Sequence, residues 1–277
     1  MSAVTSPLRA SSRNGSIKVS GACGSCSNPV WCLPPAADER SRHPIPGCYF
    51  WEPAHGRTVD PDRVESAPTT ENPLKLYYLP GACSLAGHIV LKWTGMDYTA
   101  VRLDRETLKS REYLALNPNG TVPFLVDGDF TLTENAAIMR YLAESTPEAA
   151  LLGEHCRRGR AEMVRWVAFL NSDVHCAFEP IFSPTRYFPD ETMAEVVIAH
   201  ASGRVDSYLQ YIDEHMQGKS WLTGTRSIAD PYLFVMLRWA EGTGTPVGQF
   251  KNLSGFFERM YADPGVQAAI LEEEGAV

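Results

Sequence analysis

Cys83 and Ser84 are the residues whose types and position first suggest chemistry. They lie in the segment LYYLPGACSLAGHIVLKW, residues 76–93, where an apolar strand pattern gives way at Pro80-Gly81 to an apolar helical pattern. Cys83 therefore falls in the first turn of a helix, where unpaired N–H groups and the helix dipole favour an anion. The position predicts a reactive thiol whose pKa lies below the value of about 8.5 for a free cysteine. The alternative is a small buried hydrophobic residue, which is the commoner role of an unpaired cysteine.

The segment from residue 74 to residue 146 has the elements that must position this thiol. Its hydrophobic periodicity predicts the order β-α-β-α-β-β-α, a small α/β layer with a hairpin at one end. We predict strands at 75–79, 98–103, 124–126 and 130–132, and helices at 84–94, 106–116 and from Asn135 onward. A tight turn at 127–129 joins the last two strands. In the last helix we expect a buried stripe formed by Ala137, Ile138, Tyr141 and Leu142.

From Glu154 onward the strand patterns disappear and helical periodicity takes over. Long amphipathic helices are predicted within 155–182 and 191–217, and two shorter ones at 253–262 and 264–273. Ser227 and Asp230 form a variant of the capping box, which predicts a helix start that tolerates Pro231. The very apolar continuation at 232–239 predicts a central buried helix. The expected linker between the α/β part and the helical part is the stretch 146–153.

The bulk composition is that of an ordinary globular protein with room for two modest domains. The 277 residues are 44% hydrophobic and 21% charged, and no apolar run suits a membrane span or a signal peptide. The net charge of −8 argues against nucleic acid or an anionic membrane as a partner. Of the seven cysteines, only Cys83, Cys156 and Cys176 follow Glu71. We therefore expect a reduced, cytoplasmic protein.

Residues 1–72 have a different composition. They hold nine of the 20 prolines, are rich in Ser and Gly and show no sustained period, so we expect disorder. An organelle transit peptide is the weaker alternative, suggested by the purely basic charges before Asp38. A zinc site is disfavoured because its possible ligands fit no compact spacing pattern, and we expect no metal site. Those ligands would be Cys23, Cys26, Cys32, His43 and Cys48.

Four separated motifs resemble those of the glutathione transferases, and most of all the bacterial beta class. In order they are KLYYLPGACSLAGHIVL, NPNGTVPFLVDGDFTLTENAAIMRYLAE, NSDVHCAFEPIF and SIADPYLFVMLRWA. The resemblance covers residues 74–273 and implies a thioredoxin-like glutathione-binding domain at 74–146. An all-helical domain at 153–277 would then form the electrophile site. Chains of this kind normally begin at the position of Leu74, and a leucine codon can serve as a bacterial start, so residues 1–73 are expected to be a disordered or non-native extension.

The resemblance also implies a set of glutathione-binding residues. Pro123 is expected to follow a cis peptide bond, which lets the N–H and C=O of Val122 pair with the cysteinyl part of glutathione. Glu134 would bind the γ-glutamyl ammonium, and the helix start beside it would bind the carboxylate. Lys109 would bind the glycyl carboxylate. The alternatives are an edge-strand role for Pro123, a plain helix start at Glu134 and Asn135, and a solvated Lys109. The full set is Lys109, Thr121, Val122, Pro123, Glu134 and Asn135.

The implied catalytic residues are Cys83, Ser84 and His175. His175 matches the family's active-site histidine and suits a role in handling a proton, although a lone helical histidine is more often structural. Ser84 offers a second hydrogen-bond donor to a thiolate. Tyr78 is a rival to Cys83, because other classes of the family activate glutathione with a tyrosine. Asn171 is one residue that could supply a glutathione contact that related chains make from neighbouring positions.

Together these residues predict an enzyme that binds glutathione and conjugates its thiol to a hydrophobic electrophile. The electrophile pocket is expected near Phe178, Phe182 and Tyr187, with plain core as the alternative role of these residues. A Cys83–glutathione mixed disulfide would add thiol–disulfide exchange, but Ala86 stands where a Cys-x-x-Cys partner would be. The resemblance also implies a homodimer. The alternative function is a non-catalytic glutathione- or protein-binding member of the same fold.

Overall fold

The computed structural model describes residues 74–275, so the expected N-terminal extension, with its transit-peptide and zinc-site alternatives, lies outside the described residues. Four strands form one mixed sheet in the order β2-β1-β3-β4. They are β1 (Leu74–Tyr78), β2 (Tyr98–Arg102), β3 (Phe124–Asp127) and β4 (Phe130–Leu132). Strand β1 runs parallel to β2 and antiparallel to β3, and β3 and β4 form a hairpin. The four predicted strands are confirmed.

Helices lie on both faces of this sheet. They are α1 (Ser84–Thr94), α2 (Arg111–Leu116) and α3 (Asn135–Ser145). Because successive side chains of a strand point to opposite faces, Leu76 packs into the core formed with α1 and α3. Its neighbour Tyr77 packs on the other face against Tyr113 of α2. The result is the thioredoxin-like layer that the sequence predicted, with the amino end of α1 next to the carboxyl end of β1.

The predicted single helix at 106–116 is wrong. The structure has a 3-10 turn at Thr107–Lys109, followed by α2, and Ser110 separates them. Ser110 has an extended backbone, and its hydroxyl oxygen accepts a hydrogen bond of 3.1 Å from the N–H of Tyr113. An N-cap of this kind satisfies a free backbone donor at the new helix start, which favours two short segments over one continuous helix.

The buried stripe of α3 differs from the prediction at Ala137 and at Tyr141, which is only partly buried. Ala137 is exposed, whereas Ile138 and Leu142 are buried as expected. Asn135 and Met139 are buried with them, which gives the spacing of residues that share one helix face. The inward face of α3 therefore begins with a polar side chain, and this side chain belongs to the site described below.

Beyond residue 153 the regular structure in the described chain is helical, as predicted. The helices are α4 (Arg157–Phe169), α5 (His175–Phe182), α6 (Ala194–His215), α7 (Ala229–Gly242), α8 (Lys251–Ala262) and α9 (Pro264–Glu274). A single π-helical turn, Leu170–Val174, joins α4 to α5. Helix α7 is the central buried helix and contacts α1, α4 and α8. Within residues 74–275 no helix has the length and apolar character needed to cross a membrane.

The start of α7 has the predicted capping residues, although the helix begins at Ala229. The hydroxyl oxygen of Ser227 accepts a hydrogen bond of 3.3 Å from the Ala229 N–H. In return, the Asp230 carboxylate accepts one of 2.7 Å from the Ser227 N–H. The second carboxylate oxygen accepts the N–H of Leu222 at 2.8 Å. Asp230 is fully buried, so it fastens the loop before α7 to the helix from inside the core.

Candidate functional site

Cys83 lies at the N-cap position of α1, as its place between strand and helix predicted. Its Sγ donates a weak hydrogen bond of 3.6 Å to the carbonyl oxygen of Val122. The expected low pKa is wrong for the protein by itself, because burial raises the pKa of the Cys83 thiol to about 12. The backbone N–H groups of Cys83 and Ser84 oppose this rise by stabilising the thiolate. The helix start thus offers donors to a sulfur anion but does not by itself ionise Cys83.

The Ser84 hydroxyl is not available to a thiolate in this structure. The side chain is fully buried, and its Oγ lies 3.3 Å from both the N–H and the carbonyl oxygen of Leu79. Its proton is donated to that carbonyl, so the hydroxyl closes the turn between β1 and α1. The predicted side-chain donor is therefore corrected: Ser84 faces the sulfur through its backbone N–H.

The segment Thr121–Pro123 runs beside Cys83. The Val122–Pro123 peptide bond is cis, as expected from the resemblance. The carbonyl oxygen of Thr121 accepts hydrogen bonds from the Tyr113 hydroxyl at 2.6 Å and from the Asn117 amide at 2.8 Å. These two bonds hold the segment in place at Thr121, while the carbonyl oxygen of Val122 contacts the Cys83 sulfur.

Glu134 and Asn135 also lie near Cys83, at the start of α3. Glu134 is exposed and has φ 69° and ψ 112°, a left-handed backbone that non-glycine residues rarely adopt and that is concentrated at functional sites. Asn135 is buried, and its Nδ2 donates a hydrogen bond of 2.8 Å to the carbonyl oxygen of Cys83. Its Oδ1 is buried and has no hydrogen-bond partner among residues 74–275. The Glu134 carboxylate is therefore exposed, and the adjacent Asn135 is hydrogen-bonded to the turn that carries Cys83.

His175 belongs to the same site through Tyr232 of α7. Its Nδ1 lies 2.9 Å from the Tyr232 hydroxyl, which donates a hydrogen bond of 2.8 Å to Oδ1 of Asn171. The Asn135 side chain lies near the Tyr232 hydroxyl and opposes the rise in the Tyr232 pKa that burial causes, and its Nδ2 donates to the carbonyl oxygen of Cys83. Burial lowers the pKa of His175, and the nearby Glu179 carboxylate opposes this only in part. His175 is thus a neutral base at neutral pH.

Trp239 of α7 forms a second connection between the two halves of the site. Its indole N–H donates a hydrogen bond of 2.8 Å to the carbonyl oxygen of Gly81, in the turn before Cys83. Its ring lies 4.9 Å from that of His175, centroid to centroid. The rings of Phe178 and Phe182 are 5.5 and 5.1 Å from it. Phe182 is 51% exposed, so this aromatic cluster offers an open apolar wall beside the turn.

The structure does not bring Lys109 or Tyr187, two of the predicted residues, to the site residues described above. Lys109 is exposed at the end of its 3-10 turn, and only its neighbour Leu108 approaches the segment before Thr121, at Gly120. Tyr187 donates a hydrogen bond of 2.6 Å to Glu179 and lines a separate cavity of about 550 Å³ between α5 and α6. The electrophile pocket expected near Phe178, Phe182 and Tyr187 is thus divided between two places.

Tyr232 and Trp239 are the site residues that the sequence analysis missed. Both were assigned to the buried helix at 232–239 because of its apolar character. The signal was present, since a buried tyrosine or tryptophan needs a partner for its O–H or N–H, and a polar partner inside a core often marks a site. No local pattern, however, could identify partners that lie 57 and 158 residues away along the chain.

Comparison with known proteins gives a consistent result over the described region. The family described as "Glutathione S-transferase, N-terminal domain" matches residues 72–144, and "Glutathione S-transferase, C-terminal domain" matches residues 176–264. Glutathione S-transferase GST-4.5 of Xanthomonas campestris is 44% identical over 201 residues, which are 72% of this chain and 98% of that protein. A solved glutathione S-transferase from Xylella fastidiosa is 46% identical, with a TM-score of 0.70 over 73% of this chain and 98% of its own. A sphingomonad glutathione S-transferase complexed with glutathione is 34% identical, with a TM-score of 0.65 over 72% and 98%.

Proposed function

Because the chain belongs to the glutathione S-transferase family, we propose that it binds glutathione at Cys83 and conjugates the glutathione thiol to hydrophobic electrophiles. The observation that carries the proposal is the convergence of a base on the thiol-bearing turn. His175 contacts Trp239, whose indole N–H is hydrogen-bonded to that turn, and it also lies against Tyr232, which has the Asn135 side chain nearby. A purely structural histidine would not need both.

Glutathione would contact both segments that lie beside Cys83, namely Thr121–Pro123 and the start of α3. The N–H and C=O of Val122, beside Pro123, would pair with the cysteinyl backbone of glutathione in a short antiparallel ladder. The exposed Glu134 carboxylate suits the γ-glutamyl ammonium, and the N–H groups at the Asn135 end of α3 suit its carboxylate. In this structure the Cys83 thiol donates a weak hydrogen bond to the Val122 carbonyl. When glutathione binds, a hydrogen bond from the ligand to that carbonyl would replace it.

At the other end of glutathione, Lys109 remains the proposed partner of the glycyl carboxylate. Its exposed ammonium can reach a ligand that lies along the Thr121 segment, because the adjacent Leu108 contacts Gly120. A point charge on a flexible side chain would contribute modestly at such an exposed position. Thr121 would contribute through the backbone next to Val122.

The reaction uses the glutathione sulfur as the nucleophile. His175 takes the thiol proton, and the backbone N–H groups of Cys83 and Ser84 stabilise the sulfur anion that forms. With an aryl halide, the sulfur lone pair forms the new S–C bond, and the carbon–halogen bond breaks with departure of halide. The proton on His175 then passes to solvent.

The electrophile would rest on the aromatic cluster of Phe178, Phe182 and Trp239. These rings lie beside the turn before Cys83, and Phe182 is half exposed. An apolar wall with few polar groups is typical of a site that accepts varied hydrophobic ligands. The cavity that contains Tyr187 opens between α5 and α6 and is not lined by Phe178, Phe182 or Trp239, so we assign it no part in conjugation.

Thiol–disulfide exchange is the proposed second activity of the same site. The Cys83 thiolate would attack a glutathione disulfide, which forms a Cys83–glutathione disulfide and releases one glutathione as thiolate. The high pKa of Cys83 predicts that this exchange is slow at neutral pH. Cys156 and Cys176 are exposed free thiols and are the controls for any such adduct.

We further propose domain limits of 74–146 and 153–277, a homodimer, and residence in the cytoplasm. The dimer is supported by large apolar side chains that the single chain leaves exposed, among them Val164 and Tyr211. The free cysteines suit a reducing compartment. Light scattering at micromolar concentration tests the dimer, and a monomer with full activity would exclude it.

The competing proposal is a non-catalytic binding member of the same fold. The experiment that separates the two uses a panel of aryl halides and other electrophiles with glutathione, with adducts detected by intact mass. Conjugates that form faster than without protein, and slower with His175→Ala, support the enzyme. Retention on immobilised glutathione without any accelerated conjugate would support the binding protein instead.

A further inference from the structure

The Tyr232 hydroxyl is a hydrogen-bonding centre that lies wholly inside the protein. Tyr232 has no exposed surface, and its oxygen meets Asn171 Oδ1 at 2.8 Å and His175 Nδ1 at 2.9 Å. The Asn135 side chain lies nearby. Each hydrogen bond of this buried phenol must join one donor to one acceptor, because a contact between two donors or two acceptors would be strongly unfavourable.

The proton count within this group decides the state of His175. A phenol has a single proton, and Tyr232 donates it to Asn171 Oδ1, which can only accept. The contact between Tyr232 and His175 is then a hydrogen bond only if the imidazole carries its proton on Nδ1. A neutral imidazole has one N–H, so Nε2 is left with a free lone pair. Within residues 74–275 no hydrogen bond to Nε2 is found.

The backbone explains how Asn171 and His175 reach the same hydroxyl. The π-helical turn Leu170–Val174 holds Asn171 and ends just before His175, the first residue of α5. Such single π turns are frequent at functional sites because they change the direction of side chains on an otherwise regular helix. Here the turn presents one acceptor and one donor to the same point on α7.

We propose that Tyr232 is a positioning residue that holds His175 in the Nδ1–H tautomer, so that Nε2 accepts the thiol proton of glutathione. This inference rests on the proposed function for its catalytic meaning, but its structural part does not depend on activity. The charged and titratable groups that face the pair are Glu179 at His175, and Cys83, Cys176 and Glu134 at Tyr232. Glu179 favours protonation of His175 and would not select one tautomer.

The test is a direct measurement of the tautomer by NMR on the full chain labelled with ¹⁵N-histidine. Long-range proton–nitrogen spectra are recorded at about pH 8, where a histidine with an unraised pKa is neutral, and His175→Gln identifies the signal. The wild type should show Nδ1–H for His175. Tyr232→Phe should shift His175 toward the Nε2–H form. Tyr261→Phe, a change of the same kind on α8, should leave the wild-type signature in place.

A second readout connects the tautomer to the reaction. Tyr232→Phe should lower kcat/KM for conjugation by about two- to tenfold, the effect of losing one hydrogen bond, and should alter its pH profile. A wild-type protein with His175 as the Nε2–H tautomer overturns the proposal, even if Tyr232→Phe fails to fold. So does a Tyr232→Phe protein with an unchanged tautomer. If either of these results comes with normal conjugation, the proposed function still stands. If His175 is the Nδ1–H tautomer but no conjugation occurs, Tyr232 still positions His175 and only the catalytic role is rejected.

Discussion

The indole N–H of Trp239 donates a hydrogen bond of 2.8 Å to the carbonyl oxygen of Gly81. This bond fastens the central helix of the helical part to the turn that precedes Cys83. The same indole ring contacts His175 at 4.9 Å between centroids. One side chain therefore fixes the distance between the proposed base and the thiol-bearing turn.

Trp239→Phe tests this connection. Phenylalanine keeps most of the aromatic contact but removes the N–H, so we expect kcat/KM for conjugation to fall about two- to tenfold, which corresponds to about 0.5–1.5 kcal/mol. Trp221→Phe is the matched control, because Trp221 contacts Trp93 and is not linked to the Cys83 turn by any hydrogen bond within residues 74–275. Equal activity of the two variants would show that the hydrogen bond from Trp239 to Gly81 does not contribute to conjugation.

Cys83→Ala separates the two proposed activities. Disulfide exchange needs the protein thiol, so the glutathione adduct formed under mild oxidation should disappear from the intact mass. Conjugation should survive, because the nucleophile belongs to glutathione. The Cys83 S–H would itself donate one hydrogen bond to the glutathione sulfur anion, and its loss should lower the rate about ten- to a hundredfold, from about 1.5–3 kcal/mol. A persistent adduct would identify Cys156 or Cys176 as the reactive thiol instead.

The alkylation rate of Cys83 should show an unusual pH dependence. Only the thiolate reacts with iodoacetamide, and burial raises the pKa of Cys83 to about 12. At about pH 8 the exposed Cys156 should therefore be labelled much faster. The Cys83 rate should go on rising to about pH 11, whereas an ordinary thiol levels off about one unit above its pKa of about 8.5. Peptide mapping by mass spectrometry measures both, and a Cys83 rate that levels off near neutral pH would contradict the burial argument.

Asp230 should make stability depend on pH in an unusual direction. Complete burial raises its pKa to about 7, against about 3.9 in an unfolded chain. Between about pH 4 and pH 7 the folded protein then keeps a proton that the unfolded chain has lost. The Asp230 contribution to the free energy of unfolding therefore falls as pH rises through this range.

Urea unfolding of wild type and Asp230→Asn measures this contribution. The wild type should lose stability relative to Asp230→Asn between about pH 4 and pH 7. Asp206→Asn, which makes the same change at an exposed position of α6, is the control for the substitution itself. The opposite slope for Asp230 would mean that its hydrogen bonds from Leu222 and Ser227 keep the carboxylate ionised.

The fold followed from the sequence wherever the determining information was local. The strand ending before Pro80, the helix starting after Cys83 and the capping residues Ser227 and Asp230 all depend on residues within a few positions of one another. The break at Ser110 could have been found in the same way, because a serine three residues before Tyr113 is an N-cap signal.

The chemistry of the site followed from the sequence only in part, because it depends on tertiary burial. The position of Cys83 at a helix start was predictable, but its pKa is governed by desolvation, which no spacing pattern contains. Ser84 was expected to face the sulfur with its hydroxyl, yet the hydroxyl closes onto Leu79. His175 could be proposed as a site residue from the family resemblance, whereas Tyr232, its partner, comes from a helix that looks purely apolar.

The central claim is that His175 ionises the glutathione thiol at the Cys83 site. Its most direct test is a titration of the ultraviolet absorbance of the thiolate on the glutathione–protein complex, as difference spectra against free protein. The account predicts an apparent pKa below the ordinary thiol value of about 8.5 in wild type. It also predicts a return toward that value in His175→Ala that still binds glutathione. A bound thiol that titrates like free glutathione in wild type, or equally in both proteins, would contradict it.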